Sequence, residues 1–546
     1  MENRIKRRLS DFFTPETAAR AGLIELYGGI DPFIASLEYD SRKAGPQTLY
    51  FALPGLHTDG HRYINDAISR GAVAIIHEAE ISEKKADIAY IKVKNSRFAM
   101  SPVAAAFYDC PSRRLFTAGV TGTEGKSTCV YLIWQLLRLA GKKAGFISTV
   151  QYSDGGIAPD GGGAQWNKEH QTTPEAPEVQ RKLWEMAENG CEYAVVEASS
   201  HGLSPRTNRL GDVEFDAALF TNVTHEHLEF HGTWEQYRDD KANLFRALDR
   251  GKKNKKNMSV PESFGVINAD DPSADYFSNV TKSRKMSFSV KGTDAGLTVK
   301  ALESSAAGNR YNVLIASEKA CIDISDKLPG AFNAGNVLAS LLVVSGLTGI
   351  PVRDLARLCP RLLPVRGRMT SVDRGQSFEV LVDYAHTPSS FQTIFPPLRE
   401  RLDRGGVAGS RRRIISLFGS AGERDTHKRA EQGKIAARYS DIIILTDEDP
   451  RGEVPLDILE EIARGVFNER PDSFKRNENI LLIPDRPAAI RKAFSLAREG
   501  DLVLLLGKGH ENTIIYKDCV MPYDEIGEAE KALDERKEKN EKRSRE

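Results

Sequence analysis

The chain has 546 residues, too many for one hydrophobic core, so two to four domains are expected. Its 76 basic and 76 acidic residues cancel, which argues against nucleic acid or an anionic membrane as the dominant partner. Six scattered cysteines without a C-x-x-C pair exclude a disulfide frame or cysteine-rich zinc site, and no apolar run has signal-peptide or membrane-spanning length, so a cytoplasmic protein is expected.

Residues 1–112 mix short apolar runs with turn signals, Leu49 to Leu53 before Pro54-Gly55 and then Ala72 to Ile76, and read as a small α/β domain. From 113 to 362 the pattern becomes strand (Leu115 to Val120), helix (Cys129 to Ala140) and strands (Tyr193 to Glu197, Ala217 to Val223), which predicts a parallel, doubly wound sheet. Gly155 to Gly163 reads as a mobile loop, Lys252 to Lys256 as a solvated turn, and Trp234 to Leu248 as a helix. A new series of apolar runs occupies 363–526: Val380 to Val382, Ile414 to Phe418, Ile442 to Leu445, Ile480 to Ile483 and Leu502 to Leu506. Ligands of open parallel sheets bind at the carboxyl ends of strands, which predicts one rim made of Asp383, Gly419 to Arg424, Thr446 to Arg451 and Gly507 to Glu511. Residues 527–546 are almost wholly charged and read as a solvated helix or frayed tail; no internal repeat is present.

The densest chemistry lies at Thr121-Gly122-Thr123-Glu124-Gly125-Lys126-Ser127-Thr128, between a strand and a helix. A glycine-rich turn there aims backbone N–H groups and a helix N-terminus at one point, which suits nucleotide phosphates, with a lysine for charge and a hydroxyl for Mg²⁺. The spacing is G-T-x-G-K-[ST], not the commoner G-x-x-x-x-G-K-[ST], since five residues separate Gly119 from Gly125. The plain alternative is a Gly/Thr-rich surface turn, which the flanking strand and helix disfavour. Glu197, at a strand tip ahead of Ser199-Ser200-His201-Gly202, is placed to bind Mg²⁺. His225, His227 and His231 fall within seven residues and allow two readings. One is a metallohydrolase site, although Glu229 and Phe230 break the expected H-x-H-x-D-H order; the other is a loop beside nucleotide and Mg²⁺. Lys241 alone would be a surface lysine. Past residue 363, charges and turn formers follow four strands, which suits a zwitterionic small molecule gripped by arginines and acids.

Taken together these segments resemble the Mur ligases, the ATP-dependent amide-forming enzymes of peptidoglycan precursor synthesis, and within them the tripeptide-synthetase (MurE) branch. The resemblance runs from about residue 36 to 525, with Asp40-Ser41-Arg42, the lysine loop, Gln171-Thr172-Thr173-Pro174, Glu197 to Leu203, Asn222 to His227 with Lys241, Asn333 to Asn336, Gly367-Arg368-Met369, Asp383 to Pro388 and Gly507 to Glu511 in family order. It implies three α/β domains: a small N-terminal UDP-sugar domain, a central P-loop-type ATPase domain and a C-terminal Rossmann-like domain for the incoming amino acid. It further implies a monomer that takes ATP, UDP-MurNAc-L-Ala-D-Glu and a diamino acid (meso-diaminopimelate, L-lysine or L-ornithine). A folylpolyglutamate synthetase is the nearest rival, disfavoured by the Asp40-Ser41-Arg42 segment.

By position, the resemblance assigns Gly122, Thr123, Glu124, Gly125, Lys126, Ser127 and Thr128 to the phosphates, and Ser127, Glu197, His227 and a carbamylated Lys241 to Mg²⁺. Asn333 or Asn336 would meet adenine, and Arg368 and Asp383 the nucleotide. Ser41 would contact the uridine-sugar end, and Thr172, Thr173, Ser199 and Arg209 the rest of that substrate. Arg424, Glu448, Asp449, Arg451, Gly507 and Glu511 would line the amino-acid pocket. Three departures stand out. Glu124 replaces the usual asparagine, and the stretch Ser204 to Arg209 is long enough to leave Arg206 and Arg209 both eligible. Glu448-Asp449-Pro450-Arg451 stands where diaminopimelate enzymes usually read Asp-Asn-Pro-Arg. Arg451 suits a second carboxylate, whereas the extra acid at 449 suits a cationic side-chain amine.

Overall fold

The computed structural model describes residues 5–55, 58–156, 164–166, 172–224, 228–250, 262–305, 308–404 and 411–543. They divide into two compact units, residues 1–289 with 293–297 and 338–358, and residues 290–292, 298–337 and 359–546. The architecture is α/β throughout. Among the described residues no helix is long and apolar enough to cross a membrane.

Among the described residues, the first unit has two main sheets besides the short pair Arg7–Arg8 and Phe33–Ile34. The smaller has the spatial order Leu23–Tyr27, Ala89–Val93, Ala72–His77, Thr48–Phe51, Ser36–Glu38. All its pairings are parallel except that of the edge strand Leu23–Tyr27. The larger has at its heart the parallel strands Ala144–Ile147, Tyr193–Glu197, Phe116–Thr121, Ala217–Phe220, Phe264–Asn268 and Arg284–Ser289, neighbours in that order. Buried, mainly apolar runs make the first five of these strands, and a polar residue at or just past the end of each releases the chain into a loop at the carboxyl edge. Phe116–Thr121 is central and its helix, Lys126–Leu139, leads away to a strand two places distant, so the loop after Thr121 sits where the winding reverses.

Gly119 lies inside this strand, not in the loop. A Cβ there would come within 2.4 Å of Leu244 and 2.9 Å of Phe215, so this glycine lets the helix Trp234–Ala247 pack close against the sheet. That explains the unusual glycine spacing: only Gly122 and Gly125 belong to the turn. The expected helix over Cys129 to Ala140 begins earlier, directly after Gly125, and the strand expected over Ala217 to Val223 stops at Phe220, because Thr221 and Asn222 turn to serve the loop.

In the second unit, Gly308–Ile315 and Ala320–Asp326 form an antiparallel hairpin that no sequence expectation covered. Its six-stranded sheet has the order Thr370–Ser371, Glu379–Asp383, Leu502–Leu506, Ile414–Phe418, Ile442–Leu445, Ile480–Leu482, parallel after the first pair. Helices Pro388–Arg404, His427–Tyr439 and Pro455–Glu469 cover one face around Phe391, Phe395 and Ile462. Arg486–Leu496 and Glu525–Arg543 cover the other around Ile490, Phe494 and Leu533. The charged stretch after 526 is therefore helical and not simply solvated. Ile526, Ala529, Ala532 and Leu533 are buried in the core, and Arg491 reaches Glu535 at 2.8 Å and Glu528 at 3.3 Å. Its composition hid a narrow apolar stripe. The expected turn Lys252 to Lys256 and residues 157–163 of the expected mobile loop lie outside the described residues.

Candidate active site

The turn after Thr121 is held by the neighbouring strand end. Thr123 N–H donates to the Asn222 carbonyl (2.8 Å) and Glu124 N–H to Asn222 Oδ1 (2.9 Å), while Thr221 Oγ1 donates to the Glu124 carbonyl (2.6 Å). A Cβ on Gly122 would lie 1.9 Å from Thr221 Oγ1, so only glycine permits this approach. The acid at 124 thus occupies a position whose main chain is tied on both sides. The amides of Thr123 and Glu124 are committed to Asn222; the N–H groups of the first helical turn from Lys126 have no intrahelical acceptor, the arrangement that suits an anion. Lys126 Nζ donates to the Thr123 carbonyl (2.7 Å).

Ser127 Oγ lies 2.9 and 3.0 Å from the two oxygens of Glu197, which is 1% exposed and also accepts from Thr149 N–H (2.9 Å). Adjacent strands in register, Glu197 opposite Val120, bring the two together. Lys241 is 1% exposed; its ammonium sits 4.4 Å from the Tyr237 ring centroid and donates to the Gly122 carbonyl (2.7 Å). Tyr237, one helical turn earlier, places its hydroxyl 3.1 Å from Thr123 Oγ1. Sequence reasoning missed Tyr237, although an i, i+4 pair with a motif lysine was a legible signal.

Beyond Glu197 the chain forms a second small network. Thr173 Oγ1 donates to the Glu197 carbonyl (2.9 Å) and accepts from Ser199 N–H (3.0 Å), with Ser199 Oγ 2.9 Å away. Arg209 donates to the Thr173 carbonyl and to Glu175, both at 2.8 Å, and Arg97 meets the same Glu175 oxygen at 3.2 Å. Arg206 instead donates to the Phe230 carbonyl at the surface (2.8 Å). The structure therefore gathers Arg209, not Arg206, with Thr173 and Ser199. Thr172 is half-buried beside them. Ser41 is buried in the turn Ser41–Lys43, which Asp40 caps by accepting Arg42 N–H (3.0 Å).

His225 and His227 lie outside the described residues. His231 has both ring nitrogens engaged, Nδ1 2.7 Å from Asp240 Oδ2 and Nε2 3.0 Å from Ser200 Oγ. The three-histidine metal reading fails on this residue, because neither nitrogen is left to coordinate.

In the second unit, parallel register puts Asp383, Gly419 to Arg424, Thr446 to Arg451 and Gly507 to Glu511 on one carboxyl edge, as the strand pattern implied. Asp383 accepts from Met369 N–H and Ala385 N–H, both at 2.7 Å, so its carboxylate braces the turn that carries Arg368. Arg368 lies 4.7 Å from the Tyr384 ring centroid. Asn333 donates to the Pro329 carbonyl (2.7 Å) and accepts from Asn336 (2.8 Å), which joins both asparagines in one turn. Arg424 is exposed. Arg451 takes a positive φ of 54° and donates its N–H to the Ile515 carbonyl (2.9 Å).

Two acids on this rim differ sharply. Asp449 is paired: Oδ1 accepts from Lys508 Nζ and Ile515 N–H, both at 2.9 Å, and Lys508 also reaches Glu511 at 2.6 Å. Burial works against the Lys508 ammonium, but Glu511 and Asp449 outweigh it and hold its pKa above the usual lysine value. Asp449 is therefore already neutralised by the protein's own lysine, which removes the reason to expect it to grip a substrate amine. Glu448 is 6% exposed and its Oε2 has no hydrogen-bond partner among the described residues; burial pushes its pKa up despite Lys428 and Lys508. Gly507 closes over it, since a Cβ there would come within 2.9 Å of that oxygen.

Models of three families match in succession: "Mur ligase family, catalytic domain" over residues 33–108, "Mur ligase middle domain" over 120–344 and "Mur ligase, glutamate ligase domain" over 367–509. A UDP-N-acetylmuramyl-tripeptide synthetase of Treponema denticola is 51% identical over 531 residues, 94% of this chain and 96% of the relative. A UDP-N-acetylmuramoyl-L-alanyl-D-glutamate–2,6-diaminopimelate ligase of Geobacillus kaustophilus is 35% identical over 94% of this chain and 97% of its own. Among solved structures, a UDP-N-acetylmuramoyl-L-alanyl-D-glutamate–2,6-diaminopimelate ligase matches with a TM-score of 0.59 and 26% identity, over 92% of this chain and 95% of that one.

Proposed function

The chain belongs to the Mur ligase family, ATP-dependent enzymes that form amide bonds, and from that premise we propose that it adds a diamino acid to UDP-MurNAc-L-Ala-D-Glu. The observation that carries this reading is the convergence of Lys126, the Ser127–Glu197 pair and Lys241 on one sheet edge, with Thr173, Ser199 and Arg209 beside it. Carboxylate and terminal phosphate repel each other, so a site that joins them needs cations on one side and a polar acceptor cradle on the other.

In the proposed reaction an oxygen of the D-Glu carboxylate takes the terminal phosphoryl group of ATP, and ADP leaves with the bridging oxygen. The amine of the incoming amino acid attacks the acyl carbon, loses a proton and expels phosphate. Lys126 neutralises the phosphates in transfer; Thr173, Ser199 and Arg209 orient the acceptor. Asn333, Asn336, Arg368 and Asp383 are assigned to the nucleotide, and Arg424, Glu448, Arg451, Gly507 and Glu511 to the amino acid. Ser41 is assigned to the uridine-sugar end.

The donor set suits Mg²⁺: a hydroxyl and a carboxylate supply hard oxygen ligands within 3.0 Å of each other. Ser127 and Glu197 would hold it, joined by His227 and by Lys241 once that lysine carries CO₂ as a carbamate. When bound, Mg²⁺ spreads the charge of the triphosphate.

On the rim, Arg451 with an occupied Asp449 favours an amino acid with a second carboxylate over one with a bare side-chain ammonium. The test is phosphate release from ATP with UDP-MurNAc-L-Ala-D-Glu, offered meso-diaminopimelate, L-lysine and L-ornithine in turn. Release with at least one, fastest with diaminopimelate, is expected; silence with all three would overturn the assignment.

A further inference from the structure

The helix Trp234–Ala247 touches the phosphate loop on one side, through Lys241 to the Gly122 carbonyl and Tyr237 to Thr123. On its other side it meets the acceptor turn through a fully buried chain of polar groups. Asp240 Oδ2 lies 2.7 Å from His231 Nδ1, and His231 Nε2 lies 3.0 Å from Ser200 Oγ. Asp240 is completed by Gln236, whose amide donates to Oδ1 at 3.0 Å. His231 is walled by the Phe230 and Tyr237 rings, 4.7 and 5.2 Å away, which fix its plane.

A serine, histidine and aspartate in this order have the contacts of a nucleophile triad. Ser200 is only 2% exposed and His231 3%, so no substrate reaches the hydroxyl. What the chain does instead is mechanical. Ser200 follows Ser199, whose Oγ caps the short helix Ser200–Leu203 by accepting Gly202 N–H (3.1 Å) and sits 2.9 Å from Thr173 Oγ1. Asp240 precedes Lys241. One relay of two hydrogen bonds therefore ties the residue next to the acceptor cradle to the residue next to the lysine under the phosphate loop.

We infer that His231 is a positioning residue for phosphoryl transfer: it fixes the Thr173–Ser199 cradle against the Lys241 helix and so sets the alignment of acceptor carboxylate with terminal phosphate. This rests on the ligase reading above. An alignment error near 1 Å costs about 100-fold in rate without a comparable loss in binding. A side chain that served packing alone would change thermal stability and leave the rate of the bound complex intact.

The variants are His231→Asn, which keeps a donor for Asp240 and loses Ser200, and Ser200→Ala, which removes a single oxygen. Each is expected to lower kcat for phosphate release about 10- to 100-fold, with KM for UDP-MurNAc-L-Ala-D-Glu and Kd for ADP within about threefold of wild type. The double variant should be no slower than His231→Asn alone, because both break one relay. Folded variants with kcat within threefold of wild type, a loss confined to ADP affinity, strictly additive losses, or unfolding of both single variants would each overturn the inference. If wild type itself releases no phosphate, the ligase reading falls first; if wild type turns over and the variants match it, only the role of His231 falls.

Discussion

Around the phosphate turn of the first unit's larger sheet, three ionic groups lean on neutral partners: Lys126 on the Thr123 carbonyl, Lys241 on the Gly122 carbonyl, Glu197 on the Ser127 hydroxyl; farther along, at Arg209 and Glu175, an ion pair enters. At the equivalent edge of the second unit, charges lean on charges. Lys508 lies between Asp449 and Glu511, and Arg429 between Glu453 and Glu461, both at 2.9 Å. Below them the fully buried Arg486 is paired with Glu525. A neutral partner can be exchanged for a ligand at the cost of about one hydrogen bond, about 1 kcal/mol. Breaking a buried ion pair leaves a charge stranded and costs about 3–5 kcal/mol. The contacts of Lys126, Lys241 and Glu197 are thus cheap to exchange for those of a ligand, whereas the ion pairs of the second edge form a frame. That rim also holds groups outside the ion-pair frame: Asp383 on two backbone amides, Asp447 on the Tyr516 hydroxyl, the exposed Arg424, and Glu448, whose Oε2 has no hydrogen-bond partner among the described residues.

The contrast can be tested in order of expected effect. Lys126→Ala should lower kcat at least about 1000-fold, since it removes charge stabilisation from the transferring phosphoryl group. Its melting temperature should stay within about 4 °C of wild type, because only a contact to a carbonyl is lost. A large fall in stability would show that the lysine belongs to the frame after all.

Lys241→Ala should lose about 100-fold in kcat and recover part of it in formate or acetate, which can occupy the space of a carbamate. Steady-state rates across a carboxylate series check this, and a flat series would leave the lysine as an ammonium prop for Gly122.

Asp447 gives a smaller, pH-dependent signal. Burial pushes its carboxyl to about 6, against the help of Tyr516 and Arg486. The folded state then binds more protons than the unfolded chain between about pH 4 and 6. The contribution of this group to stability is present below about pH 4 and is lost as pH rises through 6. Asp447→Asn should remove that loss, so the difference in melting temperature between wild type and variant should shift by a few degrees across this window. Parallel melting curves at pH 4 and 6.5 would contradict it.

The smallest effect belongs to Asp449→Asn. With Lys508 still held by Glu511, the ratio of kcat/KM values for diaminopimelate and lysine should change by less than about threefold. A tenfold swing would mean that Asp449 reads the substrate despite its partner.

The C-terminal sheet was legible because its buried parallel strands are short, dominantly apolar runs, such as Leu502–Leu506 closed by Gly507. The lysine loop was legible for the same local reason: strand, turn and helix are contiguous in the chain. The hairpin Gly308–Ile315 and Ala320–Asp326 escaped, although Ile322 and Ile324 alternate with Asp323 and Ser325 as a half-buried strand should. The partnership of Asp449 with Lys508 could not be read in the same way. Fifty-nine residues separate them, and each alone looks like a ligand-facing charge. Thr221 and Asn222 were misjudged as strand because their preference for the turn comes from the loop they hold, not from their own neighbours.

Gly119 has a consequence for how the enzyme could be altered. The Lys241 helix rests against the central strand with no more clearance than a hydrogen atom allows, since Leu244 and Phe215 fill the place of a methyl group. The strand acts as a gauge block: its smooth face sets the height of the lysine above the phosphate turn. A single added carbon at 119, buried inside the strand, would lift that helix as a rigid beam and detune the two ends of the site together.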